Sequence, residues 1–477
     1  MNLDMKIGLE AHVQLKTKSK MFCSCSTNFK DKKPNENTCP ICLGFMGSKP
    51  KVNKKALDYG ISIAHALNCE ILPEMFFTRK SYFYPDLAKN FQISQFEVPL
   101  GIEGELSINS EGQEKKIRIT RIHLEEDPAK LIHIGGDITS AKYVLIDYNR
   151  SGMPLCEIVT EPDFSDPKEV REFLTKISAI LEYLGVYDSS MEGSMRVDVN
   201  ISIEGGERVE IKNMSGFVKI EKALNFEVIR QKNVLRNGGK VQRETRAFDE
   251  NQSITKSLRT KEMEEDYGYI FEPDLTKIEI NDEWKNEIKK HLPELPDHMV
   301  GRFQEKYELS DYQAKVIIYT GKAFSEFFED CCELFDKPVI IANWMITHLL
   351  KCLNYQGVSI KKSSLSVKNF VKFLKMMDEG KISERLGKEM IKEITLIGED
   401  PEDYLNRKGL KMLNKEKLKE MIKKVLNDNK KAAEDYKNGH EKSMEYLIGQ
   451  VLREIKAAGN PEEIREIIKA LVAQYGG

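Results

Sequence analysis

Glu10 and His12 stand one residue apart in KIGLEAHVQL, where Ile7, Leu9, Ala11, Val13 and Leu15 are apolar and Gly8, Glu10, His12 and Gln14 lie between them. Alternate side chains along a β-strand leave opposite faces, so the pattern puts the carboxylate and the imidazole together, away from a core. The arrangement recurs. In SMRVDVNISI, Met195, Val197, Val199, Ile201 and Ile203 alternate with Arg196, Asp198, Asn200 and Ser202. In ERVEIKN, Val209 and Ile211 alternate with Glu210 and Lys212. IRITRIHLEED starts with Ile117 and Ile119 inward, then slips phase at Thr120–Arg121, leaving Arg121, His123, Glu125 and Asp127 on one face. A one-residue slip predicts a β-bulge, a device that re-aims side chains.

One such face is an ordinary wet side of an antiparallel sheet. Taken together, these faces carry Glu, His, Asp, Asn and Arg rather than the Thr, Lys, Ser and Gln of a merely solvated surface. Mg²⁺ takes one or two carboxylates together with phosphate oxygens and water. Arginine and lysine neutralise phosphate and the charge of its transfer. His12 suits Mg²⁺ poorly and is expected to act as a hydrogen-bonding partner or to favour Mn²⁺. The residues thus predict metal-dependent chemistry with phosphates on a charged sheet. The sequence has neither G-x-x-x-x-G-K-[ST] nor G-x-G-x-x-G between a strand and a helix, so a nucleotide site must have another architecture.

A second constellation is sulfur. Cys23 and Cys25 are followed, after a polar loop, by Cys39-Pro-Ile-Cys42-Leu-Gly44. Two close pairs match a tetrahedral structural zinc site over residues 23–44, closed because four sulfurs leave no open position. Cys69, Cys156, Cys331, Cys332 and Cys352 sit in apolar or helical patterns, so the nine cysteines read as reduced thiols of a cytoplasmic protein rather than a disulfide framework. Cys156, in PLCEIV, reads as a buried structural thiol and not a nucleophile.

The elements that must position these residues follow from periodicity. Strand patterns dominate up to about residue 280, with helices expected at 60–69 and 167–185, and from Glu283 onward the period is helical. Ser310 followed by Gln313 has the layout of a capping box. Met444, Leu447, Ile448, Val451, Leu452 and Ile455 form one apolar stripe, and Ile464, Ile467, Ile468, Leu471 and Val472 another, the latter preceded by Asn460-Pro461 as cap and first turn. This predicts an α+β chain with an antiparallel-sheet domain over 1–290, a helical domain over 291–405 and a helical tail over 406–477. With 73 basic and 76 acidic residues the net charge of −3 steers the whole chain to no polyanion, although residues 361–440 hold 20 basic against 14 acidic. No run of eighteen apolar residues is present, so no membrane partner is expected, and the first residues lack a signal-peptide layout.

GLEAHVQL, CPICLG, RKSYFYPDLAKNFQISQ, RIHLEED, DYNRSGMPLCEIVTEPD, EGSMRVDVN, EIKN, ETRAFD and the ending YLIGQVLREIKAAGNPEEI resemble, in order and over essentially the whole chain, the B-subunit (GatB) family of tRNA-dependent amidotransferases. The related E-type subunit carries an extra inserted domain, for which this chain has no room. The resemblance implies a cradle similar to glutamine synthetase and guanidino kinases. It also implies a reaction: ATP phosphorylates the side-chain carboxylate of misacylated Glu-tRNA(Gln) or Asp-tRNA(Asn), and ammonia displaces the phosphate. Glu10, His12 and Glu125 would then hold the catalytic divalent ion, with Glu157 and Asp198 as further ligands. Arg150 and Lys212, with Arg79, Lys80, Arg196 and Asn200, are candidates for holding ATP phosphates or the aminoacyl end, chosen by charge and polarity.

No Ser–Ser–Lys amidase segment is present, so an A-type amidase and a small C-type subunit are expected as partners, with an internal ammonia channel. Lys415, Lys417, Lys419, Lys423, Lys424, Lys430 and Lys431 would neutralise tRNA phosphates. The chain departs from the family pattern at Gly268, Ile270 and Phe271, at Met46 and at Val218, which bears on recognition of the tRNA end more than on the metal site. The alternative is a non-catalytic tRNA-binding or assembly subunit that keeps the same fold.

Overall fold

Strand β1 (Met5–Gln14), with its strict alternation, lies in the middle of a nine-stranded sheet. The structure, a computed structural model, describes residues 4–135, 141–191, 193–260, 268–410, 415–454 and 461–474. It divides into two compact units, Met1–Pro296 and Asp297–Gly477.

In the first unit, one side of β1 carries β2 (Glu70–Ile71), β3 (Gly101–Ser110), β4 (Gln113–Asp127) and β5 (Met153–Thr160), with β5 against β1. The other side carries β6 (Met195–Ile203), β7 (Val209–Met214), β8 (Glu244–Asp249) and β9 (Ile254–Thr260), with β6 against β1. The pairings are antiparallel except that of β7 with β8. This is the α+β, antiparallel-dominated class expected from the sequence. Three connections cannot be hairpins, because they join strands running the same way, and the first of them, from β1 to β2, contains α1 (Lys54–Ala66). Helix α2 (Pro167–Tyr183) carries the chain from β5 over to β6, and α3 (Phe217–Arg236) from β7 to β8.

Ile7, Leu9, Ala11 and Val13 are at most 1% exposed and share one core with Ile61 and Ala64 of α1 (Lys54–Ala66), Phe173 and Ile177 of α2, and Ile220 and Leu224 of α3. The helices therefore cover the apolar face, and the polar residues of the strands are left on the other. Helix α2 starts where its sequence says it should, with the Asp166 side chain accepting from the Lys168 amide and Pro167 in the first turn. Helix α3 is not marked by periodicity. Its inward stripe runs Ile220, Ala223, Leu224, Glu227 and Gln231, so two polar residues stand where the apolar period should continue, and Gly216 before it offers no side-chain cap. Glu227 is fully buried because Arg230, Gln231 and Thr255 all donate to it. The bulge predicted in β4 is present: the β5–β4 register jumps from Val159↔Arg121 to Thr160↔Ile119.

A separate three-stranded sheet pairs Thr78–Ser81 with Phe91–Ser94 and with Gly268–Phe271. Of the positions departing from the family pattern, Met46, Val218, Ile270 and Phe271 are exposed.

The second unit is helical, and the Ser310–Gln313 capping box forms in both directions. Near the C-terminus, Ile422 and Val425, then Leu447 and Val451, then Ile464 and Ile468 meet in one cluster from three helices. Ile455 and Asn460 lie outside the described residues, as do the side chains of Lys415 and Lys417. Lys419, Lys423, Lys424, Lys430 and Lys431 are exposed. No helix among the described residues is long and apolar enough to cross a membrane.

Candidate active site and metal centres

Register alone assembles the polar face. His12 of β1 lies opposite Glu157 of β5 and opposite Arg196 of β6, and Glu157 lies opposite His123 of β4. One cross-strand row therefore reads His123, Glu157, His12, Arg196. In the next row Glu10 lies opposite Asp198, and one step further Asn200 lies opposite Glu210 of β7.

The side chains form two clusters of potential cation ligands. His12 Nε2 is 3.1 Å from Glu157 Oε2 and 3.9 Å from Glu125 Oε1, and these three residues can each point one ligand atom into a common space. Glu10, Asp198 and Glu210 make the second such group. Asn200 Nδ2 donates to Glu10 at 2.9 Å, the Asn213 amide to Asp198 at 2.7 Å, and the Thr245 hydroxyl to Glu210 at 3.1 Å. Lys212 Nζ lies 3.6 Å from Asp198 and 3.8 Å from Glu210. The residues expected from the sequence to serve one ion are thus divided between two neighbouring groups.

The electrostatics follow from burying so much charge together. Burial raises the Glu10 pKa, and the carboxylates of Glu157, Asp198 and Glu210 push it the same way. For His12, burial favours the neutral ring, but the Glu157 and Glu125 carboxylates outweigh it and raise its pKa to about 9. His123 is raised to about 9 by the same balance. Burial alone would raise Glu157, yet the His123 and His12 rings hold it well below the usual carboxylate range. Carboxylates gathered in this number, countered by two rings and by Lys212 at their edge, match the donor set of a divalent cation site.

Beside these clusters sits an arginine pair. Asp127, 2% exposed, receives Arg196 Nη2 at 2.7 Å and lies 3.4 Å from Arg150 Nε. Arg150 also donates to the carbonyls of Pro128 at 3.1 Å and Ala129 at 3.0 Å. The Asp86 carboxyl also interacts electrostatically with both guanidiniums, so the arginines are balanced by acidic neighbours, and what they offer an anion is a pair of planar, multi-donor groups. The three-stranded sheet joins the face through Ser94, whose hydroxyl donates to Glu125 at 3.1 Å. Arg79 and Lys80 lie on that smaller sheet rather than in the cross-strand rows. Arg79 forks onto the buried Glu272 at 2.7 and 2.8 Å and stacks over Phe91, and Lys80 Nζ lies 6.0 Å from the Tyr82 ring.

Sequence reasoning did not single out Glu210, His123 and Asp127 as site residues. Each lay on a polar face already recognised, and the missing signal was strand order, which decides which faces adjoin.

The four cysteines converge as their spacing predicts, with sulfurs within 4.8 Å of one another. Tetrahedral Zn–S bonds of about 2.3 Å would place sulfurs about 3.8 Å apart. The Cys39 amide donates to Cys42 Sγ at 3.1 Å. Lys20 is fully buried, and its ammonium reaches the Asn37 carbonyl at 3.0 Å and Cys42 Sγ at 3.7 Å. A buried ammonium needs nearby negative charge. Hydrogen bonding from the Cys23 thiol, reinforced by Lys20, lowers the Cys42 pKa to about 5. Four converging sulfurs beside a buried cation fit the residues to zinc. Cys156 is fully buried with its thiol pKa pushed well up by burial, in keeping with a structural role.

A nine-stranded sheet with two acidic clusters on its polar face and an arginine pair beside them carries the donor set that a metal-assisted, anion-handling site would need. Comparison with known proteins makes the class specific: residues 5–286 match the GatB/GatE catalytic domain and residues 326–472 the GatB domain, and the chain belongs to this family. Among its relatives is the B subunit of the aspartyl/glutamyl-tRNA(Asn/Gln) amidotransferase of Carboxydothermus hydrogenoformans, 44% identical over 98% of both chains. The proteins of the same name from Thermotoga maritima, 44% identical over 98% of both chains, and Methanosarcina barkeri, 45% identical over 97% of both, are similarly related.

Proposed function

We propose that the chain is the subunit that activates the side-chain carboxylate of Glu-tRNA(Gln), Asp-tRNA(Asn) or both with ATP and transfers ammonia to it, yielding Gln-tRNA or Asn-tRNA. The observation that supports this most is the cross-strand face, where two carboxylate clusters and the Arg150–Arg196 pair adjoin on β1 and its neighbours. A carboxylate is a poor acyl donor, and an acyl phosphate gives it a leaving group.

In this reading His12, Glu125 and Glu157 would hold one Mg²⁺ or Mn²⁺, and Glu10, Asp198 and Glu210 a second. Such ions would supply charge neutralisation for phosphate oxygens. Arg150 and Arg196 bind an anion, either the nucleotide phosphates or the aminoacyl carboxylate, and Asp127 keeps both guanidiniums pointed at it. Lys212 faces the phosphate as charge builds on the leaving oxygen. Asn200 orients Glu10, and Ser94 orients Glu125.

The face belongs to a cradle domain of the glutamine synthetase and guanidino-kinase kind, followed by a helical domain and a helical tail that binds tRNA. Zinc on the four cysteines is structural. Ammonia comes from an A-type amidase partner assembled with a small C-type subunit, in the cytoplasm.

The test is ADP release by the chain with its amidase partner, with and without misacylated tRNA, for wild type and Glu125→Ala. ADP formation that requires Glu-tRNA or Asp-tRNA and vanishes in the variant supports the reading. Tight tRNA binding without ATP consumption replaces it with the assembly-subunit alternative.

A further inference from the structure

The loop between the two cysteine pairs does more than close a sulfur knot. It is laced to the segment Ile146–Gly152, the turn that leads into β5 and carries Arg150. Asn149, 1% exposed, accepts from the Asn37 amide at 2.7 Å and donates to the Lys33 carbonyl at 2.7 Å. Asn35 accepts from the Tyr148 amide at 2.7 Å, donates through its side chain to the Ile146 carbonyl at 3.1 Å, and donates its own amide to Asp147 at 3.0 Å. The Ser151 hydroxyl donates to the carbonyl of Cys42 at 3.2 Å, and the Met21 amide to that of Gly152 at 2.8 Å. Lys20, beside Cys42, also holds the Asn37 carbonyl.

These bonds are directional and engage the turn along its length, from Ile146 to Gly152, so they fix its position rather than merely cover it. Residue 149 presents its whole polar end to the cysteine loop, and the next residue presents its guanidinium to Asp127.

We infer that the cysteine loop is a jig for the Arg150 turn, and that Asn149 and Asn35 are positioning residues that set the Arg150 guanidinium at Asp127. The inference rests on the reading above that Arg150 holds an anionic reactant. It ties the sulfur centre to substrate binding: anything that opens the knot loosens Arg150 without touching the carboxylate clusters.

The test uses the full chain assembled with its amidase partner, and compares Asn149→Ala, Asn35→Gly, Arg150→Ala and the double variant Asn149→Ala/Arg150→Ala. Asn35 is exposed with φ of +64°, a conformation glycine adopts freely, so its variant keeps the fold even where loss of buried Asn149 does not. Amide hydrogen exchange over residues 146–152 is expected to quicken about ten-fold or more in both asparagine variants. Arg150→Ala is expected to raise KM for ATP or for misacylated tRNA. The asparagine variants should raise the same KM by about ten-fold with kcat little changed, and Asn149→Ala should add almost nothing once Arg150 is gone.

Unchanged exchange over 146–152 overturns the inference. So does a raised KM in Arg150→Ala that neither asparagine variant reproduces, or effects that multiply in the double variant. If Arg150→Ala leaves both KM values and kcat at wild-type levels, the anion-binding role of Arg150 fails instead, and the exchange rates alone decide whether the jig exists.

Discussion

Glu157 stands between two imidazoles in a single cross-strand row, with His12 Nε2 3.1 Å and His123 Nε2 3.4 Å from the same carboxylate oxygen. The carboxylate compensates the charge of both rings, and both rings hold it ionised. Glu157→Gln keeps the shape and removes the compensation. The variant is expected to lose about 2–4 kcal/mol of stability to urea, since breaking a buried pair leaves its partner's charge unmatched. It is also expected to weaken Mn²⁺ binding, read by electron paramagnetic resonance. Retained stability together with retained Mn²⁺ affinity would contradict this account of the row.

Glu210 tests the second acidic group. Glu210→Gln leaves the His12, Glu125 and Glu157 group intact, so ADP formation should fall about 10²–10³-fold while tRNA affinity stays constant. Raising Mg²⁺ should restore part of the rate, because the variant binds the ion more weakly. A rate unaffected by the substitution would remove Glu210 from the site.

Arg79 separates structure from substrate binding. Its fork onto Glu272, a residue with no exposed surface, predicts that Arg79→Ala costs about 3 kcal/mol, and that Arg79→Lys recovers only part because lysine cannot bind both oxygens. Chemical denaturation measures the loss. If Arg79→Ala is as stable as wild type but has a raised KM for ATP, the arginine belongs with the phosphates instead.

The four cysteines should retain about one zinc per chain through purification, counted by plasma emission spectrometry. Cys25→Ser is expected to release it and lower Tm by several degrees, with the ordering of residues 23–44 lost first. A metal-free wild-type protein of full stability would rule out a structural zinc.

The exposed lysines of the tail give a salt signature. Replacing Lys419, Lys423 and Lys424 with alanine should weaken tRNA binding and flatten its dependence on salt concentration, the slope falling by about one for each lysine–phosphate pair removed. A steep slope unchanged by the triple substitution would place the tRNA-binding surface elsewhere.

Much of this was legible in the sequence because β-alternation is a local signal. Glu10 with His12, and Arg196, Asp198 and Asn200, could be put on polar faces from their neighbours alone, and even the bulge at Thr120–Arg121 shows as a slipped phase. The convergence of the four cysteines was legible because their two pairs are closely spaced in the sequence. Strand order was not, since nothing local says that β1 lies between β5 and β6. That order decides that Glu157 belongs with His12 while Glu210 belongs with Glu10. Helix α3 escaped because Glu227 and Gln231 replace apolar residues on its inward face, satisfied by Arg230 and Thr255, whose approach no pattern announces. Arg79 was chosen by charge, and its commitment to Glu272 arises only when Gly268–Phe271 pairs beside it.

The central place of β1 also has a cost in time. Its partners are Met153–Thr160 and Met195–Ile203, so during synthesis an alternating apolar strand must wait for both before its edges are paired. At ordinary translation rates that wait is on the order of ten seconds. Throughout it, Ile7, Leu9, Ala11 and Val13 form an unprotected aggregation-prone segment. Its interspersed glycine, glutamate and histidine weaken that tendency, so the two polar residues proposed for the site would double as gatekeepers of the nascent chain. Replacing Glu10 or His12 by an apolar residue would therefore be expected to lower soluble yield before any assay of turnover begins.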